Sequence, residues 1–132
     1  MKTKPWLTLE DAHRMAAAAQ TEAQRNHWAV VIAICDDGGH LILLHRLDGV
    51  APISSAIAPA KARAAALGKR ETKLYEEMIN QGRTAFLSAP LDGMLEGGVP
   101  IVVEGYVVGA IGVSGVKSSE DAQIAKAGLA AL

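Results

Sequence analysis

The sequence predicts an α/β fold of the α+β kind, a central antiparallel sheet flanked by helices in the order α-β-β-α-α-β-β-α. Three observations carry this expectation. Two pairs of short β-branched runs are each joined by a tight glycine-containing turn, and alanine-rich helical stretches lie around them. The length of 132 residues is that of one domain, so residues 1–132 are read as a single unit. Two hairpins separated by helices cannot make a fully parallel sheet.

Thr8 is a hydroxyl N-cap for the first helix, with acidic residues in its first turn. From there Leu9, Ala12, Ala16, Ala19 and Ala23 recur at helical spacing, which predicts one buried face. Trp28-Ala-Val-Val-Ile-Ala-Ile-Cys35 is short, β-branched and continuous, as expected of a strand covered on both faces. Asp36-Asp37-Gly38-Gly39 makes the turn into a second strand, His40 to Arg46. Leu47 to Pro52 is a connection. Ser54-Ser55 then precede an alanine-rich helix, Ala56 to Leu67, which ends at Gly68 and holds Pro59 in its first turns.

A shorter helix is expected around Glu71–Asn80, then a long loop over residues 82–98 of the kind usually functional or packed at an interface. Pro100 to Glu104 and Tyr106 to Val113 read as the second hairpin, turning at Gly105. Ser118-Ser-Glu-Asp121 caps a final helix whose inner face carries Ala122, Ala125 and Leu129.

Composition excludes several functions. Half the chain is hydrophobic and a fifth charged, which rules out a disordered or collagen-like polymer. The formal net charge of -1 offers no excess of cations, so nucleic acid is not the expected partner. No apolar run spans a bilayer, and no apolar stretch follows the basic residues of Met1 to Trp6, so neither membrane insertion nor secretion is expected. A cytoplasmic location follows as the expectation. One cysteine, Cys35, can neither close an internal disulfide nor pair with another to hold zinc. Alanine buries little area per residue, so a core rich in it predicts further burial by self-association.

Few motifs carry chemistry. Gly109-Ala-Ile-Gly112-Val-Ser-Gly115 lacks dinucleotide-loop spacing, and glycines within a strand more often mark close packing of a helix. Ser114 is not in a nucleophile elbow. His40 and His45 are an odd number apart on one strand and project to opposite faces, so without a bulge they do not grip one metal ion. His13 lies beside the apolar stripe of the first helix, either as a satisfied partly buried residue or as an axial haem ligand. Lys61, flanked by alanines, either snorkels to the surface or presents a cation to a carboxylate beside Arg46. Asp36 and Asp37 are turn formers, and Cys35 is a small core residue.

The segments Val31-Ile-Ala-Ile-Cys-Asp-Asp-Gly-Gly39, Arg46-Leu-Asp-Gly49, Ile57-Ala-Pro-Ala-Lys-Ala62, Gly97-Gly-Val-Pro100 and Val108-Gly-Ala-Ile-Gly-Val-Ser-Gly115 together resemble the GlcG/HbpS-like family. That family includes the C-terminal domain of PduO-type proteins. Glu120-Asp-Ala-Gln-Ile-Ala-Lys-Ala-Gly128 fits the same pattern, and the likeness covers nearly the whole chain. The resemblance implies a profilin-like fold and a homo-oligomer of two or more copies. It also implies haem as the cofactor in some members, with His13 matching a first-helix axial ligand. Arg46, Asp48, Lys61, Gly97, Gly98, Pro100 and Ser114 resemble a shared ligand pocket.

Three functions follow. The preferred one is an oligomer that binds haem or a related tetrapyrrole, its propionates meeting Arg46 or Lys61. The second is an enzyme or accessory protein of a catabolic pathway acting on a small carboxylate held by Lys61 and Arg46, with Asp48 or Asp36 as acid or base. The third is a ligand-free structural module whose glycine loop at 93–98 serves an interface.

Overall fold

The computed structural model describes residues 1–132. It contains α1 (Leu9–Arg25), β1 (Val31–Asp36), β2 (Leu41–Arg46), α2 (Ser54–Gly68), α3 (Thr72–Asn80), a 3₁₀ turn (Thr84–Ser88), β3 (Gly98–Val103), β4 (Tyr106–Ser114) and α4 (Ser118–Leu129). The strands form one antiparallel sheet in the order β2-β1-β4-β3. The predicted fold class and element order hold.

Local chemistry sets the boundaries. Thr8 and Asp11 close a reciprocal cap on α1: the Asp11 N–H donates to Thr8 Oγ1 at 3.1 Å and the Thr8 N–H to Asp11 Oδ2 at 3.0 Å. In the first hairpin Asp36 Oδ1 accepts from the Gly38 and His40 N–H groups, both at 2.9 Å. The second hairpin turns on Glu104 and Gly105 at φ +53° and +81°, the two positive angles of a type I′ turn.

The two faces of the sheet are built differently. Ile32, Ile34, Ile101, Ile111 and Val113 face α1 and α4, where Met15, Ala16, Ala19, Ile124 and Ala125 complete the larger core. On the other face Cys35 and Ala110 meet Ala62, Ala65 and Ala66 of α2, while Ala33 meets Ala58. Small residues on both sides bring the helix against the strand backbone. A Cβ at Gly112 would lie 2.1 Å from the Ala58 carbonyl oxygen and 2.5 Å from the Ala62 nitrogen. β1, buried on both sides, is one of the two inner strands, as its unbroken apolar run predicts.

Several expectations need correction. Leu9 is exposed rather than part of the buried stripe, and Met15 takes the inner position. The first strand starts at Val31, because Trp28 to Val30 complete the exit from α1. α2 begins at Ser54, led in by i→i+3 bonds from Ser54, Ser55 and Ala56. Pro59 is therefore its sixth residue, beyond the N–H groups that lack helical partners, and the Ser55 carbonyl forgoes its usual donor. The end of α2 at Gly68 is as expected, and Lys69 after it takes the left-handed position. Gly68 makes room for Tyr75, whose hydroxyl occupies the place of a Cβ.

The segment after α3 is largely exposed and is anchored at two points. Phe86 stacks on Tyr75 with ring centroids 5.2 Å apart. Gly93 lies on the backbone of α2, where a Cβ would come within 2.5 Å of the Ala60 carbonyl carbon.

Candidate functional site

The residues singled out from the sequence fall into three places. The first is buried. Lys61 on α2 is only 3% exposed, and its ammonium donates to the Val113 carbonyl at 2.9 Å and to Asp121 Oδ2 on α4 at 3.1 Å. Asp121 Oδ1 accepts from the Val116 N–H at 3.2 Å. Burial outweighs these partners and raises the Asp121 carboxyl above its ordinary pKa; Lys61 is the strongest opposing influence. Gly97 and Gly98 make room for this pair: a Cβ on Gly97 would lie 2.8 Å from Lys61 Nζ, and one on Gly98 2.4 Å from the Lys61 carbonyl oxygen.

Around this pair, neighbouring elements are tied by buried hydroxyls. The Gly98 N–H donates to Thr72 Oγ1 at 2.8 Å, and Thr72 Oγ1 donates to the Leu95 carbonyl. Ser114 Oγ donates to Ser54 Oγ at 3.1 Å. Pro100, half-buried, sits in β3 opposite Ala110. Lys61 is thus an internal cation that fastens α2 and α4 across the end of β4. The expected pairing of Lys61 with Arg46 around one ligand is corrected, because Lys61 already holds an internal carboxylate and lines no cleft with Arg46.

The second place is an open cleft of about 630 Å³ between the end of α1 and the end of β2. Arg46 and Asp48 line it, exposed and without an ion pair inside the chain. His27 and Trp28 border it from the exit of α1, and His45 from β2. The helix ends in a double closure: the Trp28 N–H donates to the Ala23 carbonyl at 2.9 Å and the His27 N–H to that of Gln24 at 3.1 Å. His27 takes the left-handed position at φ +59°, where glycine is usual, so its imidazole is held at the rim by a strained backbone. His45 Nδ1 is sealed from solvent with no hydrogen-bond partner, which leaves Nε2 as the reachable nitrogen.

The third place is the exposed flank of α1. His13 lies there between Leu9 and Ala17, one turn to either side, all three exposed. The imidazole has no hydrogen-bond partner in the chain. Gln20, the nearest cleft residue on the helix, is seven residues further on, about 10 Å at 1.5 Å per residue.

Sequence reasoning missed Asp121 by assigning it to the cap of α4. Its spacing with Ala125 and Gly128, at i+4 and i+7, places it on the buried face. His27 was missed as a cleft residue because the fold, not the chain order, brings it beside Arg46; His45 adjoins Arg46 in the chain, but only the cleft shows that both line one site.

This combination defines a class: a small α+β protein whose four-stranded sheet carries a buried Lys61–Asp121 pair and an open cleft at one end. The chain belongs to the HbpS-like family, since the family model described as "Haem degrading protein HbpS-like" matches residues 7–130. It is 60% identical to Protein GlcG of Escherichia coli strain K12 over 114 residues, which is 86% of this chain and 85% of that protein. Among solved structures it is similar to a double mutant of Streptomyces reticuli HbpS, with a TM-score of 0.89 and 32% identity, covering 100% of this chain and 90% of that one. It is also similar to the PduOC:heme complex, with a TM-score of 0.87 and 27% identity, covering 97% of this chain and 96% of that one.

No helix is long and apolar enough to cross a membrane.

Proposed function

We propose that this protein binds haem, or a closely related tetrapyrrole, on the exposed flank of α1, with His13 as axial ligand. The observation that carries the reading is the free imidazole of His13 on an exposed helix face between the apolar side chains of Leu9 and Ala17. A porphyrin needs a nitrogen ligand and an apolar surface to lie on, and these residues fit both requirements. When bound, the group supplies redox and ligand-binding chemistry at its iron. The chain supplies ligation and a platform.

The propionates are not met by Lys61, which is buried against Asp121. Arg46 stands in the separate cleft beyond Gln20. An open helix flank leaves one side of a porphyrin in water, so a second copy of this chain is the natural cover. The alanine-rich composition supports the same oligomer.

Titration of the purified protein with hemin, followed at the Soret band, tests the reading. The wild type should saturate at a fixed stoichiometry, and native mass spectrometry should show haem retained by a dimer or larger assembly. His13→Ala, an exposed position, should keep its circular dichroism spectrum and lose at least about tenfold in haem affinity. A folded His13→Ala protein with an unchanged titration would refute the assignment.

A further inference from the structure

The cleft at the other end of α1 has features that haem at His13 does not use. We propose that it binds a small carboxylate carrying a hydrogen-bond donor beside its carboxyl group, a hydroxy or amino acid. Arg46 and Asp48 are two residues apart, exposed in one cleft, and paired neither with each other nor with any other side chain. Opposite charges left unpaired in a concave site offer a fork of donors for a carboxylate and an acceptor for a neighbouring hydroxyl or ammonium.

The histidines complete the donor set. The sealed Nδ1 of His45 has no partner inside the chain, so the ring meets a ligand only through Nε2, the nitrogen that reaches solvent. His27 presents a second imidazole from its left-handed position, and Gln20 and Gln24 add side-chain amides from one face of α1. Half-buried Trp28 supplies an apolar wall. At about 630 Å³ the cleft is of the size that holds small ligands.

Isothermal titration of the full chain with L-lactate, L-alanine, acetate and inorganic phosphate tests the proposal. Lactate or alanine should bind at one site, and which of them binds separates the hydroxyl from the ammonium. Arg46→Gln should weaken that binding at least about tenfold, the loss expected when a charged hydrogen-bond donor is removed. Asp48→Asn should lower the affinity toward that of acetate. Both residues are exposed, so both variants should keep the fold. His13→Ala should bind the acid as the wild type does, which separates this site from the proposed haem site. The proposal is overturned if neither acid gives a saturable heat, if acetate binds as tightly as lactate and alanine, if phosphate alone binds, or if Arg46→Gln or His13→Ala behaves otherwise.

Discussion

Replacing Lys61 by methionine keeps most of the aliphatic stem and removes the ammonium. That change breaks the bond to the Val113 carbonyl at 2.9 Å and the ion pair with Asp121 at 3.1 Å. Hydrogen bonds to charged groups contribute about 1.5–3 kcal/mol each, which together gives about 3–6 kcal/mol. Breaking one side of a buried pair costs about 3–5 kcal/mol, because the remaining charge is left without compensation. The two routes agree on about 4 kcal/mol, a large share of the 5–15 kcal/mol typical of a domain. With a urea slope near 2 kcal/mol per molar, the unfolding midpoint of Lys61→Met should fall by about 2 M.

The double variant Lys61→Met with Asp121→Leu removes both charges. It should be more stable than Lys61→Met alone, since burying neither charge costs less than burying one. The same pair has a pH signature. The folded state binds the Asp121 proton more tightly than the unfolded chain, so the pair's contribution to stability falls as pH rises from the ordinary 3.8 to the raised folded value. Wild-type stability minus that of Asp121→Asn should therefore decline across that window. A midpoint for Lys61→Met within about 0.5 M of wild type, or a double variant as unstable as the two singles summed, would refute the reasoning.

Two other perturbations follow from the α2 face of the sheet. Gly112→Ala puts a methyl group 2.1 Å from the Ala58 carbonyl oxygen; both atoms belong to packed backbone, so α2 must lift from β4. The expected loss is about 2 kcal/mol or more in thermal or urea unfolding, and an unchanged midpoint would contradict that contact. Burial pushes the Cys35 thiol up to about 12, so the native protein at pH 8 should resist iodoacetamide and react only once unfolded. Rapid labelling of the folded protein would show that β1 opens readily.

The buried pair changes how the family motifs read. Lys61, Gly97 and Gly98 look like ligand residues in a sequence because a lysine and paired glycines suit anion binding as well as packing. In the fold they form a clip: the glycines let the chain pass the ammonium, and Asp121 answers it from α4. The motif that does reach open space is Arg46-Leu-Asp-Gly49, at the end of an edge strand, where Arg46 and Asp48 are exposed in the cleft beside α1. Burial separates these two motifs, and spacing along the chain carries no measure of it.

Elements whose signal is local were legible in the sequence. Thr8 with Asp11, the Asp36–Gly39 turn and the continuous apolar run of β1 place themselves through hydrogen bonds and patterns a few residues long. Pro59 was misplaced because the start of α2 is set by backbone bonds from the preceding turn, which leave no side-chain mark. Leu9 was misread because helical spacing also fits residues on the flank of a stripe; the position of α4 decides which flank is covered.

The chain by itself therefore determined the order of elements, the two hairpins and the small-residue face on which α2 rests. Those features depend on interactions between near neighbours and on side-chain size. Only the tertiary structure decided that Lys61 meets Asp121, sixty residues away, and that His27 from the end of α1 joins Arg46 around one cleft. Such meetings depend on how the sheet and helices cross in space, which residue spacing does not encode.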